Sequence, residues 1–294
     1  MVNILGYCSE GGRIMMPADY VRIGKEHFIE VILPRIKAIS SQVADNILVF
    51  IEGSVAYGYC DQNSDVDLDF FIDIDISDGL RNQITDIFYG ETYWKELVRV
   101  SYEFGGEYWK IKHIINNDMD RFWKEFNPYA VNNLAQAIAV WDPKNLLPKI
   151  QERVGFYPED MKKSVIRGLW VTINDSGVYN FKEAIHRNQK SEGKIYLYRA
   201  IEAMLRLSYI LNDLYYPPTK WLSKGLHQLD NDFEILKMLE EIEENNNLLD
   251  IYDLFMEVYR NIQQFMNDKN TIEKESIENY PNIFGKPFFI YNTF

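Results

Sequence analysis

Cysteine is scarce: the chain has two, Cys8 and Cys60, in 294 residues. Two cysteines cannot build a disulfide scaffold. With no CxxC pair and no Cys/His cluster, a structural zinc site is not expected either. Histidine is also sparse, and His27, His113, His186 and His227 are scattered without a ligand or triad spacing. No apolar, uncharged run reaches the roughly 18 residues of a membrane-spanning helix, so no membrane partner is expected. The first residues lack a basic stretch followed by an apolar run. No targeting segment is therefore expected, and the expected location is cytoplasmic. Basic residues are outnumbered, 31 Lys and Arg against 44 Asp and Glu, for a net charge of −13. That balance disfavours a general electrostatic grip on nucleic acid and favours a cationic partner. Neither GxxxxGK[ST] nor GxGxxG occurs, so kinase and dehydrogenase readings have no support.

What is present is globular. Apolar residues at 47% and charged residues at 26% exclude a disordered chain, and the length suits two domains. Spacings of three and four predict a helix over 18–42, kinked at Pro34. An apolar run over 46–51 reads as a buried strand, and a glycine-containing loop follows over 53–64. Val66, Leu68, Phe70 and Ile72 alternate with Asp67, Asp69, Phe71 and Asp73, which is strand periodicity. A helix is expected over 81–97 and a strand over 98–104. A turn at Gly105-Gly106 and a returning strand over 108–115 complete the pattern. Prolines around 141–148 mark a connection. Beyond it only helical patterns appear, at 194–214, 233–246 and 249–268, and their apolar stripes are read as core. The aromatic tail, 284–294, is expected to dock on the body.

The segment that carries chemistry runs from Gly53-Ser54 to Asp65-x-Asp67. Two acids two residues apart on a strand leave the same face. Their repulsion is relieved by a shared cation. Hard oxygen ligands of this kind suit Mg²⁺, which takes its remaining ligands from water and substrate phosphates. Gly53 removes a side chain where a triphosphate must approach, and Ser54 offers a hydroxyl and an N–H.

Gly53-Ser54, the following loop, and Asp65-x-Asp67 opening the next strand resemble the signature of the DNA polymerase β-like nucleotidyltransferase superfamily. Gly58 and the Ser-Asp-x-Asp-Leu wording are similar to its aminoglycoside and lincosamide branch. The resemblance implies an α+β chain. Residues 1–145 would form a nucleotidyltransferase-type mixed sheet with helices, residues 146–294 an all-helical bundle domain, and the active cleft would lie between them. It also implies Asp65 and Asp67 as metal ligands and catalytic residues. The superfamily carries a third acid on a third strand, but the counterpart here, 109–114, carries lysines. Glu107, in Phe-Gly-Gly-Glu-Tyr-Trp, resembles the catalytic base of the streptomycin/spectinomycin adenylyltransferases, and Glu103 is the alternative base.

The same enzymes place an Arg on a helix and a Lys after the next turn, both on the nucleotide. Arg206 and Lys220 match that pattern, and Arg199 lies seven residues before Arg206 on the same helix face. The implied reaction moves a nucleoside monophosphate, AMP from Mg-ATP or another NTP, onto a hydroxyl of a small cationic acceptor such as an aminoglycoside. The enzyme would then be an antibiotic-resistance adenylyltransferase. Two alternatives stay open: a nucleotidyltransferase that modifies a protein or tRNA, and a non-catalytic nucleotide-binding regulator. The sequence is silent on oligomeric state.

Overall fold

The computed structural model of the protein describes residues 16–89, 93–95, 98–102, 111–124 and 128–286. The chain divides into two compact units, Met1–Val154 and Gly155–Phe294.

The first unit opens with a long helical run: α1 (Pro17–His27), a π-helical turn (Phe28–Ile32) and α2 (Leu33–Ile39). The expected kink has a local cause. Pro34 has no N–H to donate, and the turn before it widens, with the Leu33 N–H donating to the Phe28 carbonyl. The run ends at Ile39 rather than at residue 42, because Ser40 is extended and its hydroxyl caps α3 (Ser41–Ala44) through the Val43 N–H at 3.2 Å. Strand β1 (Ile47–Glu52) follows, then α4 (Gly53–Ala56), β2 (Val66–Ile72) and α5 (Asp78–Tyr89). Next come β3 (Tyr93–Lys95), β4 (Val98–Tyr102), α6 (Ile111–Ile115), α7 (Met119–Lys124), α8 (Pro128–Gln136), β5 (Ile138–Trp141) and α9 (Leu146–Val154).

These strands form one mixed sheet in the order β3-β4-β2-β1-β5. β1 pairs antiparallel with β2 and β5, while β4 runs parallel to β2. The alternation along β2 does what period two requires. Val66, Leu68, Phe70 and Ile72 enter the core with Ile47, Val49 and Ile51 of β1 and residues of α1, α2 and α5. α1 packs closely on this face at Gly24, where an added Cβ would lie 2.9 Å from Val66 Cγ1. Phe70 and Phe88 stack at 4.1 Å, and the Trp141 indole donates to the Ala44 carbonyl at 2.8 Å.

Three local expectations are corrected. The helix predicted over 81–97 ends at Tyr89, and Tyr93–Lys95 is a strand paired with β4. The strand predicted over 108–115 is helical over Ile111–Ile115, where Ile111 and Ile114, three apart, are both buried. The strand beside β2 is therefore β4, and the third-strand role given to 109–114 falls away. Gly105-Gly106 and the tail from 287 lie outside the described residues.

The second unit contains no strand among the described residues. A continuous helical run joins α10 (Glu159–Thr172), a nine-residue π-helix (Ile173–Phe181) and α11 (Lys182–His186). α12 (Lys190–Leu211), a 3-10 turn (Thr219–Trp221), α13 (Leu222–Leu226), α14 (Ile235–Glu244), α15 (Leu248–Lys269) and α16 (Lys274–Glu278) follow. Ile251, Phe255, Val258 and Ile262 of α15 are buried, as their stripe predicts. Trp170 stacks on Tyr259 at 4.8 Å, and the Tyr259 hydroxyl donates to Asn174 Oδ1 at 2.9 Å. Gly177 lies against the Phe255 ring, with an added Cβ only 2.1 Å from Cζ. The chain is α+β, a mixed sheet with helices followed by an all-helical unit.

Candidate functional site

The Gly-Ser segment turns the chain sharply off the end of β1. Gly53 has φ +66°, a left-handed conformation that favours glycine. A Cβ there would stand 2.7 Å from Asp67 Oδ2. The backbone of residue 53 therefore lies directly against the Asp67 carboxylate. The single helical turn Gly53–Ala56 closes with the Tyr57 N–H on the Gly53 carbonyl at 3.0 Å and the Tyr59 N–H on the Ser54 carbonyl at 2.8 Å. Ser54 is buried. Asp61 then organises the loop, accepting from the Asn63 N–H at 2.9 Å, while the Tyr20 hydroxyl donates to its carbonyl at 2.6 Å and ties the loop to α1.

Register places the acids. Glu52 pairs with Asp67 and Phe50 with Asp69, and partners in an antiparallel ladder share a face. Glu52, Asp67 and Asp69 thus lie on the face of the sheet away from the main core. Asp69 and Glu52 are buried, and Asp67 is partly exposed. Asp65 stands just before β2 and pairs with Arg99 of β4 at 3.5 Å, a half-exposed contact of little energetic weight. On the other side, β4 brings a serine, Ser101, to the register position beside Asp67. Glu103 and Glu107 lie outside the described residues. Among the described residues, no group of three or more His, Cys, Asp or Glu is placed to hold a metal ion.

Two side chains beside the turn fall outside the sequence motif. The Glu52 carboxylate accepts from Asn133 Nδ2 of α8 at 3.1 Å, and Asn133 Oδ1 accepts from the Tyr57 hydroxyl. Burial, and next the Glu52 charge, push the Tyr57 phenol well above its ordinary range. An acid ending an otherwise apolar strand was the one signal pointing to Glu52. Asn133 has none.

In the second unit, Arg206 is buried on α12. Its guanidinium lies 2.6 Å from Glu202 Oε1, 3.4 Å from Thr219 Oγ1 and 5.4 Å from the Tyr216 ring. Lys220, the residue after Thr219, is exposed, with Nζ 5.7 Å from the Trp221 ring. The fold thus brings the Lys220 turn beside Arg206. Arg199 is exposed two turns earlier on α12. Tyr215 and Tyr216 are buried. A groove of about 550 Å³ runs along Tyr198, Glu202, Thr219, Lys224, Glu240 and Glu243.

No described helix is long and apolar enough to cross a membrane. No curated protein matches the chain. Among solved structures it is similar to a nucleotidyltransferase-like protein from Exiguobacterium sibiricum 255-15, at 12% identity and a TM-score of 0.45, over 86% of this chain and 80% of that one. Residues 123–222 match a domain of unknown function, DUF4037, a stretch that includes Asn133, Arg199, Arg206 and Lys220.

Proposed function

We propose that the protein is a nucleotidyltransferase that moves a nucleoside monophosphate, AMP from Mg-ATP in the first instance, onto a hydroxyl of a small cationic acceptor of the aminoglycoside type. The observation that carries this reading is the contact of the Gly53 backbone with the Asp67 carboxylate. It brings a residue without a side chain and a hard anionic oxygen close together, which suits the approach of a metal-bound phosphate.

Asp65 and Asp67 fit Mg²⁺, which needs only one or two protein carboxylates when phosphates and water complete its shell. Bound there, it would neutralise charge on the phosphates as the reaction proceeds. Gly53 and Ser54 receive the phosphate chain. Arg206, Lys220 and Arg199 are the cations proposed to offset charge on the triphosphate. Glu107, or Glu103 in its place, takes the proton of the acceptor hydroxyl. The acceptor oxygen then bonds to the α-phosphorus, the bond from that phosphorus to the bridging oxygen breaks, and pyrophosphate leaves with the electron pair.

Arg99 beside Asp65 favours a second reading, a nucleotide-binding regulator without turnover, because a cation already stands at one of the two acids. One experiment separates the readings. Each labelled NTP is incubated with Mg²⁺ and a panel of aminoglycosides, lincosamides, tRNA and lysate. Label on a small cationic acceptor supports the first reading. Label on tRNA or protein redirects the acceptor class, and binding without transfer supports the regulator.

A further inference from the structure

We infer that Asn133 is a positioning residue for the phosphate-binding turn, its amide bridging the residue before the turn, Glu52, to the residue just after it, Tyr57. The inference rests on the nucleotidyl-transfer reading of the same turn.

Four residues of helix cannot hold their own conformation, since a single turn fixes many dihedrals for one hydrogen bond. Gly53 at φ +66° adds the most conformationally free residue at the point of bend. The turn therefore needs an outside hold, and α8 supplies one. Asn133 donates through Nδ2 to the Glu52 carboxylate at 3.1 Å and accepts at Oδ1 from the Tyr57 hydroxyl. One planar amide thus spans both shoulders of the turn, 81 residues away from Glu52 in sequence. The polarity is fixed. The Glu52 carboxylate can only accept, so the amide nitrogen must face it, and Oδ1 is left to accept from the Tyr57 hydroxyl. Glu52 is also the ladder partner of Asp67, so the bridge fixes residues on both sides of the Gly53–Asp67 contact. A displacement of about 1 Å at such a point costs roughly a hundredfold in reactivity. The bridge acts through the turn.

The polarity makes the test specific. Asn133→Asp keeps the acceptor for Tyr57 but loses the donor, and sets a carboxylate against Glu52. Combining it with Glu52→Gln reverses the pair, because the amide introduced at 52 donates to the carboxylate introduced at 133. Binding of the four α,β-methylene nucleoside triphosphates with Mg²⁺ is measured by titration calorimetry, whose stoichiometry separates unfolded protein from weakened affinity. Asn133→Asp is expected to weaken the best of the four by about tenfold or more, and the double variant to return within about threefold of wild type. Tyr57→Phe, which removes one hydroxyl, is expected to weaken it by about threefold and carries the test should Asn133→Asp not fold. Unchanged affinity in Asn133→Asp or in Tyr57→Phe would overturn the assignment, as would a double variant no better than Asn133→Asp alone. A wild-type protein that binds none of the four overturns the nucleotide reading itself, and the bridge's proposed role with it.

Discussion

Gly53 and the Asp67 carboxylate compete for one space: a Cβ at residue 53 would stand 2.7 Å from Asp67 Oδ2. Gly53→Ala must therefore move the acid or the turn, and must also hold an L-residue at φ +66°, which costs about 1–2 kcal/mol. We expect turnover to fall by about a hundredfold or more while the melting temperature drops only a few degrees. A variant with wild-type rates would remove the turn from the site.

Asp67→Asn is expected to abolish Mg²⁺-dependent nucleotide turnover. It should leave the fold intact, because Asp67 faces Glu52 across the ladder and directly opposed like charges repel. The melting temperature should stay level or rise. Retained turnover would refute the metal assignment.

Lys220 and Arg206 should separate by their surroundings. Lys220 is exposed, and Lys220→Ala is expected to weaken ATP binding by about 10- to 100-fold, with little change for AMP and none in melting temperature. Arg206 is buried against Glu202, so Arg206→Ala should lower stability as well as affinity. Equal losses for ATP and AMP in Lys220→Ala would make that lysine structural.

Gly177→Ala tests the packing of the helical unit. The added methyl would lie 2.1 Å from Phe255 Cζ and 2.7 Å from Cε1, so the whole ring must shift. Overpacking of this kind costs about 1–3 kcal/mol. Urea denaturation should show a lower midpoint, and an unchanged midpoint would mean that the Phe255 ring relocates freely.

Glu273 gives the helical unit an acid-sensitive contact. The Arg167 guanidinium, 2.6 Å away, holds its carboxyl at about 2, down from the ordinary value of 4.5. In that interval the unfolded chain binds the proton more readily than the folded one, so stability rises with pH there. The contribution is complete above about 4.5 and lost as pH falls towards 2. Wild type should melt above Glu273→Gln near neutrality, with the gap closing between those values. A gap that persists at pH 2 would contradict the assignment.

The first two strands were legible because each is a clean pattern, an apolar run and a period-two alternation, joined by glycines. β5 is not legible because Ile138–Trp141 is four residues long and closely follows a helix. Residues 108–115 read as a strand because Trp109, Ile111 and His113 alternate with lysines, yet the spacing that matters there is the three residues between Ile111 and Ile114. α10 and the π-helix are hard to read from sequence because buried Arg167, Asn174 and Ser176 interrupt the apolar stripe. Arg167 and Asn174 are met by partners far along the chain, Glu273 and Tyr259. Gly53, Asp65 and Asp67 are singled out in the sequence because the motif they form is a matter of local spacing. Glu52 and Asn133 are brought together by register and by α8, and no local pattern encodes that meeting.

The order β3-β4-β2-β1-β5 also sets how the sheet ends. Among the described residues its borders are its two shortest strands, three residues at Tyr93–Lys95 and four at Ile138–Trp141, while the seven-residue β2 is enclosed on both sides. Strands this short offer a neighbouring chain little ladder to extend. The apolar run of β1 and the acid-bearing run of β2 are both interior to the sheet, and so are shielded from edge-to-edge aggregation.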